Sequence, residues 1–287
     1  MPDQPQKYSS PTQYPKAMET QAAFASRPTI GRVNWAGMSA LYMKEVRRFI
    51  KVQLQTIWAP AMTTLLYLII FTVALGRGDF QILGVNLATF LAPGLIAMAM
   101  MTNSFANSSF SVLVGKLQGT IVDYLMPPLS ELELLLALVG AAVTRALLVG
   151  AAIFAVMLVW PDVHLGIAHF WAVAIFGVLA AAMLGFMGLL TSIWAEKFDH
   201  AAAITNFVIL PLSLLSGTFY TIDRLNPAFA SVMMANPFHY AISGFRYGFI
   251  GSADINIGSG IAILLAFNLL LGLACYLLLR SGWKLKP

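Results

Sequence analysis

Residues 115–133 read GKLQGTIVDYLMPPLSELE, a polar segment between two long apolar runs. Ile121, Tyr124 and Leu125 are spaced i, i+3 and i+4, so they share one face if the segment is helical. Asp123 lies on another side of that helix. The spacing predicts a short helix on a hairpin that joins two membrane spans.

Two prolines set the end of this short helix. Pro127 and Pro128 lack a backbone N–H, and proline disfavours helix in the residue before it. Ser130 and Glu133 then have the spacing of a capping box, which starts the next helix. A stiff hairpin helix is suited to transmit a displacement, but its shape alone fits an ordinary interfacial loop equally well.

The composition indicates the class of protein. The chain of 287 residues is 59% hydrophobic and 10% charged, with a mean hydropathy of +0.78, whereas soluble domains carry about 25% charged residues. We therefore expect an all-α polytopic membrane protein. The single cysteine, Cys275, lies in an apolar run, so an intrachain disulfide is excluded.

The first part of the chain precedes the membrane spans. Residues 1–30 are rich in Pro, Gln, Ser and Thr, which predicts a disordered cytoplasmic tail, and residues 31–287 form a single membrane domain. Residues 34–55 have the pattern of an amphipathic interfacial helix. Its polar side includes Lys44, Glu45, Arg47 and Arg48, as would also suit a soluble helix, although a span follows directly.

Six spans are predicted from apolar runs of about 20 residues. They cover residues 57–76, 87–108, 132–160, 170–194, 200–215 and 258–280. The fifth is short and contains Pro211, so we expect it to stop before the outer face. Residues 218–251 are too polar for a span and too apolar for a free loop, which favours short re-entrant or interfacial helices on the outer side.

The positions of the basic residues predict the orientation. Thirteen of the 17 Lys and Arg residues fall on the side that carries both termini and residues 115–133. Because this excess marks the cytoplasmic face, both termini and the 115–133 hairpin are expected in the cytoplasm. The same placement explains the net charge of +5 without a nucleic-acid partner.

The sequences of four segments resemble those of the ABC-2-type transporter permeases, the membrane half of a class of ATP-driven exporters. The resemblance covers about residues 35–280 and rests on the following segments: Lys116-x-x-Gly119-Thr120-Ile121 with Leu125, Pro128, Leu129-Ser130 and Glu133; Lys44-Glu45-Val46-Arg47-Arg48-Phe49; Ala59-Pro60-x-x-Thr63-Thr64-Leu65-Leu66-Tyr67; and Leu215-Ser216-Gly217-Thr218-Phe219-Tyr220 with Asn236-Pro237-Phe238-His239-Tyr240 and Gly244-Phe245-Arg246.

The resemblance implies that the 115–133 hairpin carries a coupling helix that docks on a separate ATPase subunit. The residues assigned to this ATPase coupling are Lys116, Gly119, Thr120, Ile121, Asp123, Tyr124 and Leu125. Ile121, Tyr124 and Leu125 would be the buried anchors, with Asp123 at the rim.

The chain lacks groups that would power transport by itself. No Asp, Glu or His lies in the middle of a predicted span, where ion-driven transporters place them. The sequence also lacks the glycine-rich loop that cradles ATP phosphates. We therefore expect no catalytic residue, metal site or cofactor in this chain, with ATP and Mg bound by the partner.

Polar residues within the spans are candidates for a substrate pathway, namely Asn103, Asn107, Arg145 and Asn206. Arg145 has two interpretations: a contact for an anionic group of the substrate, or a structural residue bonded to neighbouring spans. The asparagines fit either a pathway mouth or interhelical hydrogen bonds. Small residues recur every four positions at Gly177, Ala181 and Gly185, and serve either packing within the chain or a dimer contact.

The function implied is the membrane subunit of a bacterial inner-membrane exporter, with two copies of the chain and two ATPase subunits among the membrane lipids. The expected substrate is lipid-like, a glycolipid or oligosaccharide, or drug-like. The alternative is a membrane-embedded scaffold or enzyme without transport activity.

Overall fold

The computed structural model describes residues 33–75, 81–160, 163–222 and 226–284, so the predicted tail at residues 1–30 lies outside the described part. The regular secondary structure of the described residues is helical apart from a small antiparallel hairpin of β1, Gln81–Ile82, and β2, Val85–Asn86. The helices are α1 (Trp35–Ile50), α2 (Ala59–Leu75), α3 (Leu87–Leu117), α4 (Val122–Leu125), α5 (Glu131–Met157), α6 (Phe170–Trp194), α7 (Phe198–Ile204), α8 (Leu210–Leu214), α9 (Pro227–Ala235), α10 (Pro237–Ile250) and α11 (Ile257–Ser281).

Five helical segments in the described residues are long and apolar enough to cross a membrane, which fits the predicted polytopic all-α class. They are Leu54–Ala74, Leu87–Leu117, Glu131–Met157, Phe170–Trp194 and Ile257–Ser281. The first includes a π-helical turn, Leu54–Trp58, that continues directly into α2.

The predicted fifth span is instead a shorter apolar helix. The segment Phe198–Leu214 combines α7, a π-helical turn at Thr205–Ile209 and α8. At 1.5 Å per residue its length is about 25 Å, less than the ~30 Å of hydrocarbon in a bilayer. The helix ends at Leu214, three residues before Gly217, which adopts the left-handed conformation with φ +77°. That the segment stops before the outer face stays a prediction.

The core is built around α3. In its most apolar stretch 83% of residues are buried, against 17% in the first candidate span and 11% in the last. Helices α5, α6 and α10 pack on α3, and α6 in turn contacts α10 and α11. The most buried span therefore carries Asn103 and Asn107, two of the three asparagines of the candidate pathway, into the centre of the molecule.

Small residues explain the close contact between α3 and α6. A Cβ at Gly188 would overlap the carbonyl oxygen of Phe105, and a Cβ at Gly185 would lie 3.3 Å from Ser104 Oγ. The hydroxyl of Ser104 donates to the carbonyl of Ala181 at 2.6 Å. The small-residue face of α6 thus serves packing within the chain, which was one of the two alternatives left open by the sequence.

Helix α1 packs along α5 and buries Leu41, Val46 and Phe49. The hydroxyls of Tyr42 and Thr144 form a hydrogen bond of 2.8 Å between the two helices. A helix is present within the predicted range of residues 34–55, but α1 ends at the exposed Ile50, and its position at the membrane interface stays a prediction.

The region of residues 218–251 forms the short helices α9 and α10, and α10 is mostly buried. Arg246 on α10 is fully buried, and its Nη2 donates to the carbonyl oxygens of Gly217 at 2.7 Å and Thr218 at 3.3 Å. Its guanidinium also lies 4.0 Å from the centre of the Phe90 ring. Arg246 therefore binds the backbone just after the end of the segment Phe198–Leu214.

Candidate functional site

The hairpin after α3 contains the predicted short helix as α4, a single turn from Val122 to Leu125. Gly119 precedes it with φ +72°, a conformation that L side chains rarely adopt, so glycine is required there. The capping box between Ser130 and Glu133 is confirmed at the start of α5. We call residues 115–133 the coupling hairpin.

The side chain of Tyr124 points into its own chain. It is 7% exposed, its hydroxyl donates to Glu45 Oε1 at 3.0 Å, and Lys44 Nζ lies 3.9 Å above its ring. Burial and the adjacent negative charge of Glu45 raise the pKa of Tyr124 to about 12. Gly115 makes room for the ring, because a Cβ there would lie 3.2 Å from it.

The expectation that Tyr124 is available as an anchor for a partner is therefore corrected, since the buried carboxylate of Glu45 and the cation of Lys44 hold it inward. Ile121 is half-buried, while Leu125 is 42% exposed. Asp123 is exposed, as expected for a rim residue. Thr120 and Gly119 are also exposed.

Three apolar side chains of the short helix and its end are exposed on the hairpin. Val122 is 48% exposed, Leu125 42% and Met126 78%. These three residues, together with Asp123, are available for contact with another protein. We call Val122, Leu125 and Met126 the coupling surface, with Asp123 at its rim.

Lys116 is engaged with a helix end rather than with the coupling surface. Its Nζ donates to the carbonyl oxygens of Ile193 at 2.8 Å, Ala195 at 2.7 Å and Ser192 at 3.3 Å. These carbonyls end α6, where the helix dipole is negative and a cation is stabilising. Lys116 thus ties the end of α3 to the end of α6.

Some polar residues of α1 are exposed to solvent and others are buried in the protein. Lys44 and Arg47 are exposed, whereas Glu45 is completely buried. Glu45 Oε2 forms an ion pair with Arg48 Nη2 at 2.9 Å. The same nitrogen of Arg48 donates to the Asn107 carbonyl oxygen at 3.0 Å and to Asn107 Oδ1 at 3.3 Å. Asn107 is 1% exposed and therefore bonds to α1 rather than lining an open space.

A cavity of 400 Å³ lies between α2, α3 and the segment Phe198–Leu214. Its wall is partly apolar, from Leu95, Met98 and Leu210, among others. Its polar lining residues are Gln55, Thr63, Thr64, Tyr67, Thr102, Asn103 and Thr205. We call this space the membrane cavity. Its mixture of hydroxyl, amide and apolar groups suits an amphipathic molecule.

Two of the predicted pathway residues meet at this cavity. Asn103 lines it, and Arg145 Nη2 donates to Asn103 Oδ1 at 2.9 Å. Arg145 Nε is buried without a hydrogen-bond partner among the described residues. Asn206 is exposed beside Thr205, a cavity residue, but does not itself line the space.

Sequence reasoning missed the hydroxyl-bearing wall of this cavity. Thr63 and Tyr67 are spaced i, i+4, so they share a face of α2. Thr63 donates to the Ala59 carbonyl at 2.9 Å and Thr64 to that of Pro60 at 2.7 Å, bonds that satisfy the hydroxyls within the helix. The spacing of polar residues within this span was the available signal.

The fold and the site together define a multi-pass α-helical membrane protein with a cavity among its spanning helices. The family model for ABC-2 type transporters matches residues 37–250, and the chain belongs to that family. The resemblance carried by the four sequence stretches is thereby confirmed.

Curated relatives agree with this assignment. The chain is 33% identical over 253 residues to the inner membrane transport permease YadH of Escherichia coli K12, which covers 88% of this chain and 98% of YadH. It is 25% identical over 256 residues to nodulation protein J of Rhizobium leguminosarum bv. viciae, covering 87% of this chain and 95% of that protein. The chain is therefore a multi-pass inner-membrane transport permease of a family that works with ATP-binding-cassette ATPases.

Proposed function

We propose that this permease forms, as a homodimer with two ATPase subunits, an ATP-driven exporter of an amphipathic, lipid-like, glycolipid, oligosaccharide or drug-like substrate. The membrane cavity is the observation that carries this proposal, because it places neutral polar groups beside apolar ones among the spans. ATP and Mg bind to the partner, and both termini face the cytoplasm.

A second copy of the chain is proposed to complete the pathway. The first candidate span is only 17% buried, and Met62, Leu66 and Phe207 are 58%, 54% and 81% exposed. Thr63 and Asn206 are exposed beside these apolar residues. Exposed polar groups at membrane depth favour a protein or water environment over lipid, which a second copy would provide.

The ATPase is proposed to bind at the coupling surface. Interface energy concentrates in a few well-packed side chains, and Val122, Leu125 and Met126 are exposed apolar residues at the turn between two spans. Their displacement by closure of the ATPase pair would move the ends of α3 and α5, which flank the hairpin.

The test is site-specific photo-crosslinking in cells, with a benzophenone amino acid at Met126. We expect covalent capture of an ATP-binding-cassette ATPase, identified by mass spectrometry, and ATP hydrolysis by the purified complex that responds to substrate. A benzophenone at Leu136, which is 60% exposed within the third candidate span, is the control and should capture no ATPase. Capture of no ATPase from position 126, or capture from both positions alike, would contradict the proposal.

The substrate class is tested with the same complex in lipid vesicles. Threonine 64 lines the cavity and is buried, so Thr64→Phe should fill part of the space. We expect ATP-dependent movement of a fluorescent lipid or amphipathic dye in wild type, and a loss of this movement in Thr64→Phe with basal ATP hydrolysis retained. A complex that assembles and hydrolyses ATP but moves no probe of either kind would favour the scaffold alternative.

A further inference from the structure

Glu45 joins two parts of the chain that are distant in sequence, α1 and the coupling hairpin. It lies on α1, it is completely buried, and it accepts a hydrogen bond from Tyr124 of the coupling hairpin at 3.0 Å. Its second oxygen pairs with Arg48 at 2.9 Å. A buried carboxylate is costly unless a cation and hydrogen bonds compensate for its lost hydration, so Glu45 strongly favours the arrangement in which both partners are in place.

Arg48 extends this connection from α1 to α3. Its guanidinium donates to both the backbone and the side-chain oxygen of Asn107. Asn103 lies one helical turn from Asn107 on α3, lines the membrane cavity and accepts from Arg145. Polar contacts therefore run from the coupling hairpin through Glu45 and Arg48 to Asn107, and one turn of α3 joins Asn107 to the cavity wall at Asn103.

The fit around Tyr124 limits independent movement of the hairpin. The ring lies against Gly115 on one side and beneath Lys44 on the other. The hydroxyl also lies 3.5 Å from the carbonyl oxygen of Ser111 on α3. Tyr124 thus contacts α1 and α3 at once, and its one strong acceptor is Glu45.

We propose that Glu45 is a positioning residue for transport: it holds the coupling hairpin, α1 and the cytoplasmic half of α3 as one unit, so that displacement of the hairpin moves the cavity wall at Asn103. This inference rests on the proposed function. Without the Glu45 carboxylate the hairpin would still bind the ATPase, but a displacement of the hairpin would move the cavity wall only weakly.

Three single variants separate this role from simple packing. Glu45→Gln keeps the size of the side chain and removes the charge that holds Arg48, whereas Tyr124→Phe removes only the hydroxyl. Tyr42→Phe is the matched control, because it removes a comparable hydrogen bond, of 2.8 Å between the hydroxyls of Tyr42 on α1 and Thr144 on α5, in which no residue of the hairpin takes part. All three are made in a Cys275→Ser background.

The readout is the reaction rate of Thr63→Cys, at the exposed edge of the membrane cavity, with a small water-soluble thiol reagent. The full permease–ATPase complex is assayed with and without ATP and vanadate. We expect ATP and vanadate to change the rate in the Thr63→Cys parent and in Tyr42→Phe, and this change to fall at least about fivefold in Glu45→Gln and Tyr124→Phe. Complex formation and ATP hydrolysis should persist in every variant.

The outcomes distinguish failure of the proposed function from failure of the role proposed for Glu45. If the parent complex shows no ATP-dependent change at Thr63→Cys, the proposed function fails and the inference with it. If the labelling rate changes with ATP in the parent, and changes by the same factor in both Glu45→Gln and Tyr124→Phe, Glu45 does not position the hairpin. If Tyr42→Phe loses the response as well, the effect reflects general packing of α1, which also overturns the inference. If Glu45→Gln does not assemble, the result for Tyr124→Phe decides.

Discussion

At the scale of single residues, the close contact between α3 and α6 depends on the absence of side chains. Gly188 leaves no room for a Cβ, because the backbone of Phe105 and Ser109 occupies that position. Backbone atoms cannot change position by a rotamer change, as a flexible side chain can. Even one methyl group at Gly188 would therefore force the two helices apart.

Gly188→Ala is therefore expected to destabilise the permease by about 1–3 kcal/mol, the usual effect of overpacking a well-packed core. The measurement is the loss of monodisperse protein on heating in detergent. Gly166→Ala is the matched control, since nothing lies within 4 Å of a Cβ at Gly166. Equal melting temperatures for the two variants would contradict the packing described for α6.

A second residue-scale prediction concerns Arg246, whose guanidinium combines two carbonyl bonds with the face of Phe90. Lysine cannot reproduce a planar fork stacked on a ring. Arg246→Lys should lower stability by about 2 kcal/mol, as expected for loss of hydrogen bonds to a charged group. The exposed Arg280, changed to Lys, should leave the melting temperature unchanged, and a similar small effect at both positions would contradict the backbone-binding role of Arg246.

At the scale of elements, predictions from local sequence were reliable where the cause is local. Pro127 and Pro128 follow α4 closely, and Ser130 with Glu133 caps α5. The direction of Tyr124 could not be predicted in this way, because its partner Glu45 lies 79 residues earlier in the chain. Spacing in a one-turn helix shows which residues share a face, whereas the side on which that face is buried depends on a distant acceptor.

The same limit applies to the membrane cavity. The sequence indicated Asn103 and Arg145 as polar residues at depth, and the structure joins them. The threonines of α2 were quoted only for their family resemblance, because hydroxyls that bond to their own helix carry no distinct hydropathy signal. The threonines of α2 line the same cavity as Thr205 because helices that are far apart in sequence pack together.

The coupling surface gives the prediction at element scale. Double substitution Leu125→Ala and Met126→Ala should weaken association with the ATPase by about 2 kcal/mol or more if these residues are interface hot spots. The protein should remain folded, because both side chains are exposed. Binding is measured by titrating labelled ATPase onto the permease in nanodiscs. Asp123→Asn is the control at the rim, and unchanged affinity of the double variant would remove the coupling surface from the ATPase interface.

At the scale of the whole molecule, the distribution of basic residues predicts the orientation in the membrane. In a Cys275→Ser background, Gln118→Cys is expected to react with an impermeant thiol reagent only after access from the cytoplasm. Gly166→Cys, in the exposed segment between α5 and α6, should react in intact spheroplasts. Labelling of both positions from one side would contradict the predicted topology.

The arrangement of two copies is the last prediction. Both Phe207 and Leu269 are exposed, at 81% and 74%, and both lie on apolar segments. They differ in surroundings. Phe207 follows the exposed Asn206 and is two residues beyond Thr205 of the membrane cavity. Leu269 follows Asn268, which is buried and donates to the Leu179 carbonyl, and it precedes Leu270 and Leu271 of α11. A polar group beside the cavity is better placed against protein than against lipid, while the leucines of α11 suit acyl chains.

We therefore expect Phe207→Cys in a Cys275→Ser background to form a covalent dimer with a short bifunctional thiol reagent in native membranes. Leu269→Cys, the control of matched exposure, should remain monomeric under the same treatment. The two bands are resolved by non-reducing electrophoresis, with protein diluted by excess lipid to suppress random collision. Crosslinking through Leu269→Cys alone would place the second copy against α11, and the membrane cavity would then open to lipid instead of to its counterpart in a partner subunit.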